Sequence, residues 1–305
     1  MQVVETIAEV RAATDAVRAA GGTVGLVPTM GYFHVGHQSL MAAAVAAHDF
    51  VVVSSFVNPT QFAPHEDLAA YPRDPEGDAA LAAATGVGMM FCPRVDEMYP
   101  DGPPKTTVHV AGLTEGMCGA ARPTHFDGVT TVVAKLFSIV GPCRAYFGRK
   151  DAQQLAVVTR MAADLNLPVE VVGCPLVREA DGLALSSRNA YLTSDERAAA
   201  PALYASLVAV AEAVRDGVRD AATALAIVRE RVGAEPLLDL EYVEIRDAEN
   251  LEPRATLQGS FVVALAARVG RARLIDNVVI RVSAAGVETD LGARLGDGPR
   301  RGPNP

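Results

Sequence analysis

Residues 27–37 read V-P-T-M-G-Y-F-H-V-G-H, and His34 and His37 are the side chains whose type and spacing most suggest chemistry. Two imidazoles three residues apart can aim from one turn at a phosphate, and their ordinary pKa of about 6.5 lets them carry charge beside it. The same spacing serves a metal pair, and histidines are commonly ordinary surface or core residues, so spacing alone leaves all three readings open. Position adds to it. A β-branched run at 23–27 precedes the turn, and an alanine-rich stretch of helical composition runs from His37 to about His48. At a strand-to-helix turn, unpaired backbone N–H groups and the positive end of the helix dipole favour anions. Two further polar clusters follow apolar runs in the same way: Asn58 and Gln61 after V-V-V-S-S-F-V at 51–57, and Lys150 and Asp151 after a strand expected at 144–147.

The elements that must position these clusters alternate along the chain. Thr6 and Glu9 have the form of a capping box and open a helix that stops at Gly21-Gly22. The strand, the histidine turn, its helix and the strand at 51–57 complete a β-α-β unit. Asp74 and Pro75 supply an N-cap and first-turn proline for an alanine-rich helix ending at Gly86. A short strand is expected at 89–92. The segment 99–128 is rich in Gly, Pro and Thr, with one strand expected at 106–110, and irregular segments of this length are usually functional. Helix 128–140, strand 144–147, a helix from about 148 to 165 and strand 169–173 continue the alternation. This predicts an α/β domain with a doubly wound parallel sheet, whose ligands sit at the carboxyl ends of the strands. Beyond Pro175 the pattern becomes helices at about 194–217 and 220–233 and strands near 240–246, 259–267 and 273–281, a smaller α+β unit. The reading is therefore a domain over 1–176, a smaller C-terminal domain over 177–290, and a disordered Gly-, Pro- and Arg-containing tail over 291–305.

At 305 residues, half of them apolar, the chain can bury a large core. No apolar run approaches the roughly 18 residues that span a bilayer. The opening M-Q-V-V-E-T lacks the basic and apolar regions of a secretion signal, so a soluble, cytoplasmic protein without membrane partners is expected. A net charge of −9 disfavours a general nucleic-acid surface while permitting a local cationic pocket for an acidic substrate. Cys92, Cys118, Cys143 and Cys174 contain no C-x-x-C, which argues against a zinc cage or a disulfide framework. Only three of the 27 basic residues are lysine, so Lys150 inside a polar cluster stands out for its compact, mobile charge.

Six segments occur in the order of a known family: PTMG..H.GH at 28–37, FVNP.QF at 56–62, YPR at 71–73, RPTHF.GV at 122–129, FG.KD.QQ at 147–154 and VREADGLA.SSRN at 177–189. Through them the chain resembles the pantothenate synthetases, the pantoate–β-alanine ligases of bacteria and plants. The resemblance implies a Rossmann-like fold of the HxGH nucleotidyl-transferase superfamily, with the C-terminal domain acting as a lid. It implies ATP-dependent condensation of (R)-pantoate with β-alanine. The pantoate carboxylate attacks the α-phosphorus of ATP, and the β-alanine amine then attacks the pantoyl adenylate and expels AMP. Magnesium would accompany ATP, and a homodimer would form through the nucleotide-binding domain.

By the same resemblance, His37 donates a proton to the leaving pyrophosphate with His34 beside it. Lys150 and the mobile loop of Ser186, Ser187 and Arg188, counterpart of the K-M-S-K-S loop of class I aminoacyl-tRNA synthetases, serve the phosphates. Pro28, Thr29, Met30, Gly31, Gly148, Arg149, Asp151, Val177 and Leu185 complete the ATP site, Met30 and Val177 through backbone groups. Gln61, Gln154 and Asn58 fall to pantoate, and Asp78 to magnesium. The residue types suit the task, since a carboxylate meeting a triphosphate is anion against anion and needs preorganised positive charge and N–H donors. The chain departs from the family at Arg149, where glutamate is common, at Leu185, where methionine is common, and at Tyr32-Phe33, where small or aliphatic residues are usual. Two other readings share the fold, a nucleotidylyltransferase and an inert ATP-binding regulator. The paired glutamines and the 122–129 segment argue against the first, and retention of Lys150, both histidines and the serine-arginine loop argues against the second.

Overall fold

The computed structural model describes residues 1–64 and 66–295. They fall into two units, one of residues 1–149 and 153–174, the other of 150–152 and 175 onward. The second therefore takes in Lys150, which the expected boundary at 176 placed with the first.

The first unit runs β1 (Gln2–Val4), α1 (Ile7–Ala19), β2 (Val24–Thr29), α2 (Val35–Ala47), β3 (Phe50–Ser55), α3 (Pro75–Thr85), β4 (Met89–Phe91), the short α4 (Val95–Met98) and α5 (Met117–Ala121), α6 (His125–Val140), β5 (Cys143–Gly148), α7 (Ala152–Asp164) and β6 (Val169–Cys174). Its sheet is parallel throughout, in the order β1-β4-β3-β2-β5-β6. Alternate strand residues feed cores on the two faces, as a sheet covered on both sides requires. Leu26 and Val52 join one with Val133 and Phe137 of α6, while Val27, Val51 and Val53 join the other with Leu40 and Met41 of α2. Local signals behave as expected. Thr6 and Glu9 close the capping box of α1, and Asp74 caps α3, which ends on left-handed Gly86. Chain order reverses between β2 and β5, so the segments after β3 and β2 lie side by side at the carboxyl edge.

No strand forms at 106–110. Instead the Val108 N–H donates to Thr131 Oγ1 at 3.0 Å and the Val108 carbonyl accepts from Thr130 Oγ1 at 2.5 Å, so α6 side chains take the place of a neighbouring strand. The three-residue β1 is too short to show a period in the sequence.

The second unit contains β7 (Val177–Arg178), α8 (Ser194–Ala199), α9 (Ala202–Arg215), α10 (Ala221–Gly233), β8 (Asp239–Asp247), β9 (Gly259–Val269), β10 (Ala272–Ser283), β11 (Gly286–Asp290) and β12 (Ala293–Arg294). An antiparallel sheet in the order β11-β10-β9-β8 packs Phe261, Val263, Leu265 and Ile280 with Leu207, Val210 and Val214 of α9 and Val228 and Val232 of α10. Pro201 stands between α8 and α9, dividing the single helix expected over 194–217. By length and composition alone the stretch Ser194–Arg215 could cross a membrane. Here the apolar face of α9 is spent on the core, with Leu203, Leu207, Val210 and Val214 at most 1% exposed. A further correction concerns the tail expected from 291. Ala293 and Arg294 pair in parallel with Val177 and Arg178, so ordered chain continues past 290, and residues 296–305 lie outside the described residues.

One histidine makes stability depend on pH. His48, which caps the C-terminus of α2, meets the Tyr146 hydroxyl through Nε2 at 2.9 Å, and among the described residues its buried Nδ1 has no partner. Burial, then the positive Arg144, hold its pKa below the ordinary 6.5. The unfolded chain thus takes up this proton first. The stabilisation is complete above about pH 6.5 and is lost as pH falls through the folded value. His48→Gln should therefore show a shallower decline of the urea midpoint between about pH 7 and pH 5 than the parent; parallel declines would remove His48 as the cause.

Candidate functional site

The turn after β2 is built around a carboxylate. Gly31 has φ +84°, and a Cβ there would lie 2.6 Å from Ser55 Oγ and 3.0 Å from Asp78 Oδ2. Tyr32 follows with φ +54°, unusual for a residue with a side chain. Asp78, 3% exposed in the first turn of α3, accepts the Tyr32 N–H at 2.8 Å and the Phe33 N–H at 2.5 Å. The Gly31 N–H donates to Thr29 Oγ1, which in turn donates to the Ser54 carbonyl. The chain thereby reaches α2 with His34 as N-cap. His34 Nδ1 accepts the Gly36 N–H at 3.1 Å, and His37 Nδ1 accepts the His34 N–H at 3.3 Å. An accepting Nδ1 assigns the proton of each neutral ring to Nε2. The rings lie 4.1 Å apart, and no acidic residue occupies the first turn. This is an anion-ready helix start carrying two oriented imidazoles.

After β3, Asn58 and Gln61 part company. Asn58, expected to touch pantoate, spends its polar atoms on the protein. Its amide donates to the Gly128 carbonyl at 3.1 Å and to Gln61 Oε1 at 3.3 Å, and its carbonyl accepts from Tyr99 and Thr60. It braces Gly128 and the 58–61 turn. Gln61 keeps an adaptable side chain, its Nε2 resting 2.8 Å from Met30 Sδ, a weak acceptor. Its backbone carbonyl is gripped by Arg122 Nη2 at 3.2 Å and His125 Nδ1 at 2.9 Å. Arg122 also holds Glu66 through two N–H groups, and Glu66 accepts the Ala63 N–H. That pairing and its short hydrogen bonds keep the Glu66 carboxyl below its ordinary pKa despite burial. The 122–129 segment thus works as the matching half of 58–66, a role that its motif did not reveal.

The adjacent glutamines of α7 also differ. Gln153, overlooked in the sequence, is buried and pins the 113–118 loop through the Leu113 and Gly116 carbonyls and the Cys118 N–H. Gln154 is half-buried, and among the described residues its amide has no hydrogen-bond partner. A cleft of about 760 Å³ in this unit is lined by Met30, Gly31, Tyr32, Phe56, Asp78 and Tyr99 among others.

In the second unit, Lys150 Nζ lies 3.3 Å from Asp151 Oδ2 with its side chain 22% exposed. Leu185 donates its N–H to the Val177 carbonyl at 3.0 Å. Ser186 caps a 3-10 turn over Ser187–Tyr191 by accepting the Arg188 N–H, leaving Arg188 half-buried and Ser187 buried. The loop's stem is braced by Arg197, which bridges Glu179 and Asp181. Pro28 and Thr29 end β2, Gly148 ends β5, and Arg149 follows it in the first unit.

A protein-held magnesium does not fit. Both Asp78 oxygens are committed to backbone N–H groups, and among the described residues no three His, Cys, Asp or Glu side chains gather as a metal site needs. The expectation of a metal ligand at Asp78 is corrected to that of a turn brace.

A sequence model of the family described as pantoate-beta-alanine ligase matches residues 2–279. The chain is 54% identical to a pantothenate synthetase of Heliobacterium modesticaldum over 92% of its own length and all of that protein. It is 52% identical to one of Moorella thermoacetica over 93% of its length and all of the relative. A solved pantothenate synthetase from Thermus thermophilus matches with a TM-score of 0.85 at 50% identity, covering 91% of this chain and 98% of that one. A pantoate-beta-alanine ligase from Francisella tularensis, complexed with β-γ ATP and β-alanine, matches with a TM-score of 0.74 at 30% identity, covering 91% and 97%.

The fit between 58–66 and 122–129 can be tested without substrate. A Cβ on Gly128 would stand 2.4 Å from the Thr60 carbonyl oxygen and 2.6 Å from the Gln61 nitrogen, both backbone atoms. Gly→Ala inside a helix normally stabilises by roughly 0.5–1 kcal/mol, whereas overpacking costs about 1–3 kcal/mol. Gly128→Ala should therefore lose stability in denaturant titration; a gain would mean that the two segments are not in close contact.

Proposed function

Since the chain belongs to the pantoate-beta-alanine ligase family, we propose that the residues described above divide the family's reaction among them. The enzyme condenses (R)-pantoate with β-alanine at the expense of ATP, through a pantoyl adenylate, releasing pyrophosphate and AMP. Gln61 and Gln154 hold pantoate, their amides donating to its carboxylate and accepting from its hydroxyls. Gln61 gives up only a weak N–H···S contact to do so.

A pantoate carboxylate oxygen forms the new bond to the α-phosphorus while the bond to the bridging oxygen of pyrophosphate breaks, and negative charge moves onto the leaving group. The N-terminus of α2 meets that charge, His37 donates a hydrogen bond from Nε2–H to the leaving pyrophosphate oxygen, and His34 orients and assists. Lys150, Ser186, Ser187 and Arg188 neutralise the phosphate oxygens, with Pro28, Thr29, Met30, Gly31, Gly148, Arg149, Asp151, Val177 and Leu185 shaping the nucleotide site. In the second step the β-alanine amine attacks the acyl carbon, loses a proton, and AMP leaves with the bonding electrons. The observation that carries this reading is the pair of imidazoles whose Nδ1 atoms accept backbone N–H groups, which turns Nε2–H into the donor. Magnesium enters with the nucleotide phosphates, and no step passes through a protein-held ion. The unit that begins at Pro175 acts as the lid. A cytoplasmic homodimer is part of the same reading, and light scattering tests the assembly.

His37→Ala and Lys150→Ala should each slow single-turnover pyrophosphate release by about 10²-fold or more, the size of losing one placed donor. Release at the parent rate would strike that residue from the mechanism. Arg188→Ala should slow adenylation yet leave the reaction of synthetic pantoyl adenylate with β-alanine nearly intact, because pyrophosphate has gone by then. Equal loss in both half-reactions would assign Arg188 to the pantoyl or AMP part instead.

A further inference from the structure

The segment V-R-E-A-D-G-L at 177–183 carries an arginine to which the phosphate chemistry gives no task. Arg178 is wholly buried, and a buried charge costs several kcal/mol unless it is paired and hydrogen-bonded. All five of its N–H donors are used. Nε donates to the Leu291 carbonyl at 2.5 Å, and Nη1 to the Gly182 carbonyl at 3.0 Å and Asp276 Oδ2 at 2.7 Å. Nη2 donates to Asp276 Oδ1 at 2.8 Å and the Asn277 carbonyl at 3.1 Å. The Tyr204 ring covers the guanidinium at 4.2 Å, and a Cβ on Gly182, at φ +97°, would lie 2.1 Å from that ring. The loop that leads to Ser186 is thus fixed to β10 at its turn. Asp276 Oδ1 also accepts the Asn277 N–H at 2.7 Å, so Asn277 is held through both its N–H and its carbonyl. The Asn277 side chain, 5% exposed, then donates Nδ2–H to the Lys150 backbone carbonyl at 2.8 Å.

We propose that Asn277 is a positioning residue for Lys150, and that the Arg178–Asp276 pair sets Asn277 and the stem of the Ser186–Arg188 loop in one register, so that lysine and loop meet the phosphates together. The inference rests on the phosphate role given to Lys150 above. Its physical content is distance. Lys150 has a flexible stem, so a displaced backbone moves its ammonium from the position where charge develops, and a misplacement of about 1 Å costs up to about 10²-fold.

Asn277→Ala removes the donor without adding charge, and Asn277→Asp keeps the shape while turning an acceptor toward the Lys150 carbonyl. Both should slow single-turnover pyrophosphate release by roughly 10- to 100-fold. The KM for pantoate should hold, as should the rate at which synthetic pantoyl adenylate reacts with β-alanine. Adding either change to Lys150→Ala should cost nothing further, since a residue acting through Lys150 has nothing left to position. Parent-like adenylation in both variants, equal loss in the two half-reactions, or an additive double variant would overturn the proposal. Lys150→Ala run alone separates the two ideas. If it releases pyrophosphate at the parent rate, the phosphate role of Lys150 falls and Asn277 falls with it; if it is slow while Asn277→Ala is additive, only the positioning role is lost.

Discussion

A buried carboxylate holds the turn on which both histidines stand. Asp78 lies in the first turn of α3, 46 residues beyond the N–H of Tyr32 that it accepts. Two opposing effects meet there. A residue with a side chain at positive φ costs on the order of 1–3 kcal/mol, while hydrogen bonds to a charged group are each worth about 1.5–3 kcal/mol. With two such bonds to Asp78, the left-handed turn is the favoured one. Burial still exacts something, since it pushes the Asp78 pKa above its ordinary value even though both N–H groups pull it down. The outcome is a helix N-terminus that stays open to anions, because the nearby carboxylate is turned inward onto the backbone preceding the helix.

The same dependence separates what is legible in the sequence from what is not. The histidine turn, the caps of α1 and α3 and the βα alternation are local, so residues within a few positions of each other disclose them. The sequence misleads at Asp78 because its neighbours, Glu76 and Gly77, place it in an acidic helix start, and only the packing of α3 against α2 and the turn shows where its oxygens point. Asn58 shows the same limit: that its amide reaches the Gly128 carbonyl, 70 residues away, is not visible in the sequence. The extra strands β1 and β11 are three and five residues long, too brief for a period-two pattern to declare itself.

A finer division runs through the motifs themselves. Side chains whose polar atoms are engaged by protein atoms build the frame: Asn58, Gln153, Arg122 and, with every donor used, Arg178. Side chains with donors left on weak contacts or, among the described residues, without a partner are those assigned to substrate: Gln61, whose Nε2 rests on a thioether sulfur, Gln154, and Lys150 beside Asp151 at 3.3 Å. Burying a polar group is tolerable only when it is satisfied, and a satisfied group has little to offer a ligand. Neighbours such as Gln153 and Gln154 therefore stand in opposite states, one spent on the protein and one not, although a sequence presents them as a pair.

This division also accounts for where the chain departs from its family. Tyr32 and Phe33 replace small or aliphatic residues, yet what the turn takes from both positions is a backbone N–H for Asp78, which any residue but proline supplies. Leu185 replaces methionine at a position whose N–H closes the loop onto the Val177 carbonyl, again a contribution of the main chain. Positions proposed to work through a particular side chain, His34, His37, Gln61, Lys150 and Arg188, keep the family residue. Arg149, in place of glutamate, has no such account. Elsewhere the rule is physical, since a main-chain hydrogen bond survives a change of side chain and a placed proton donor does not.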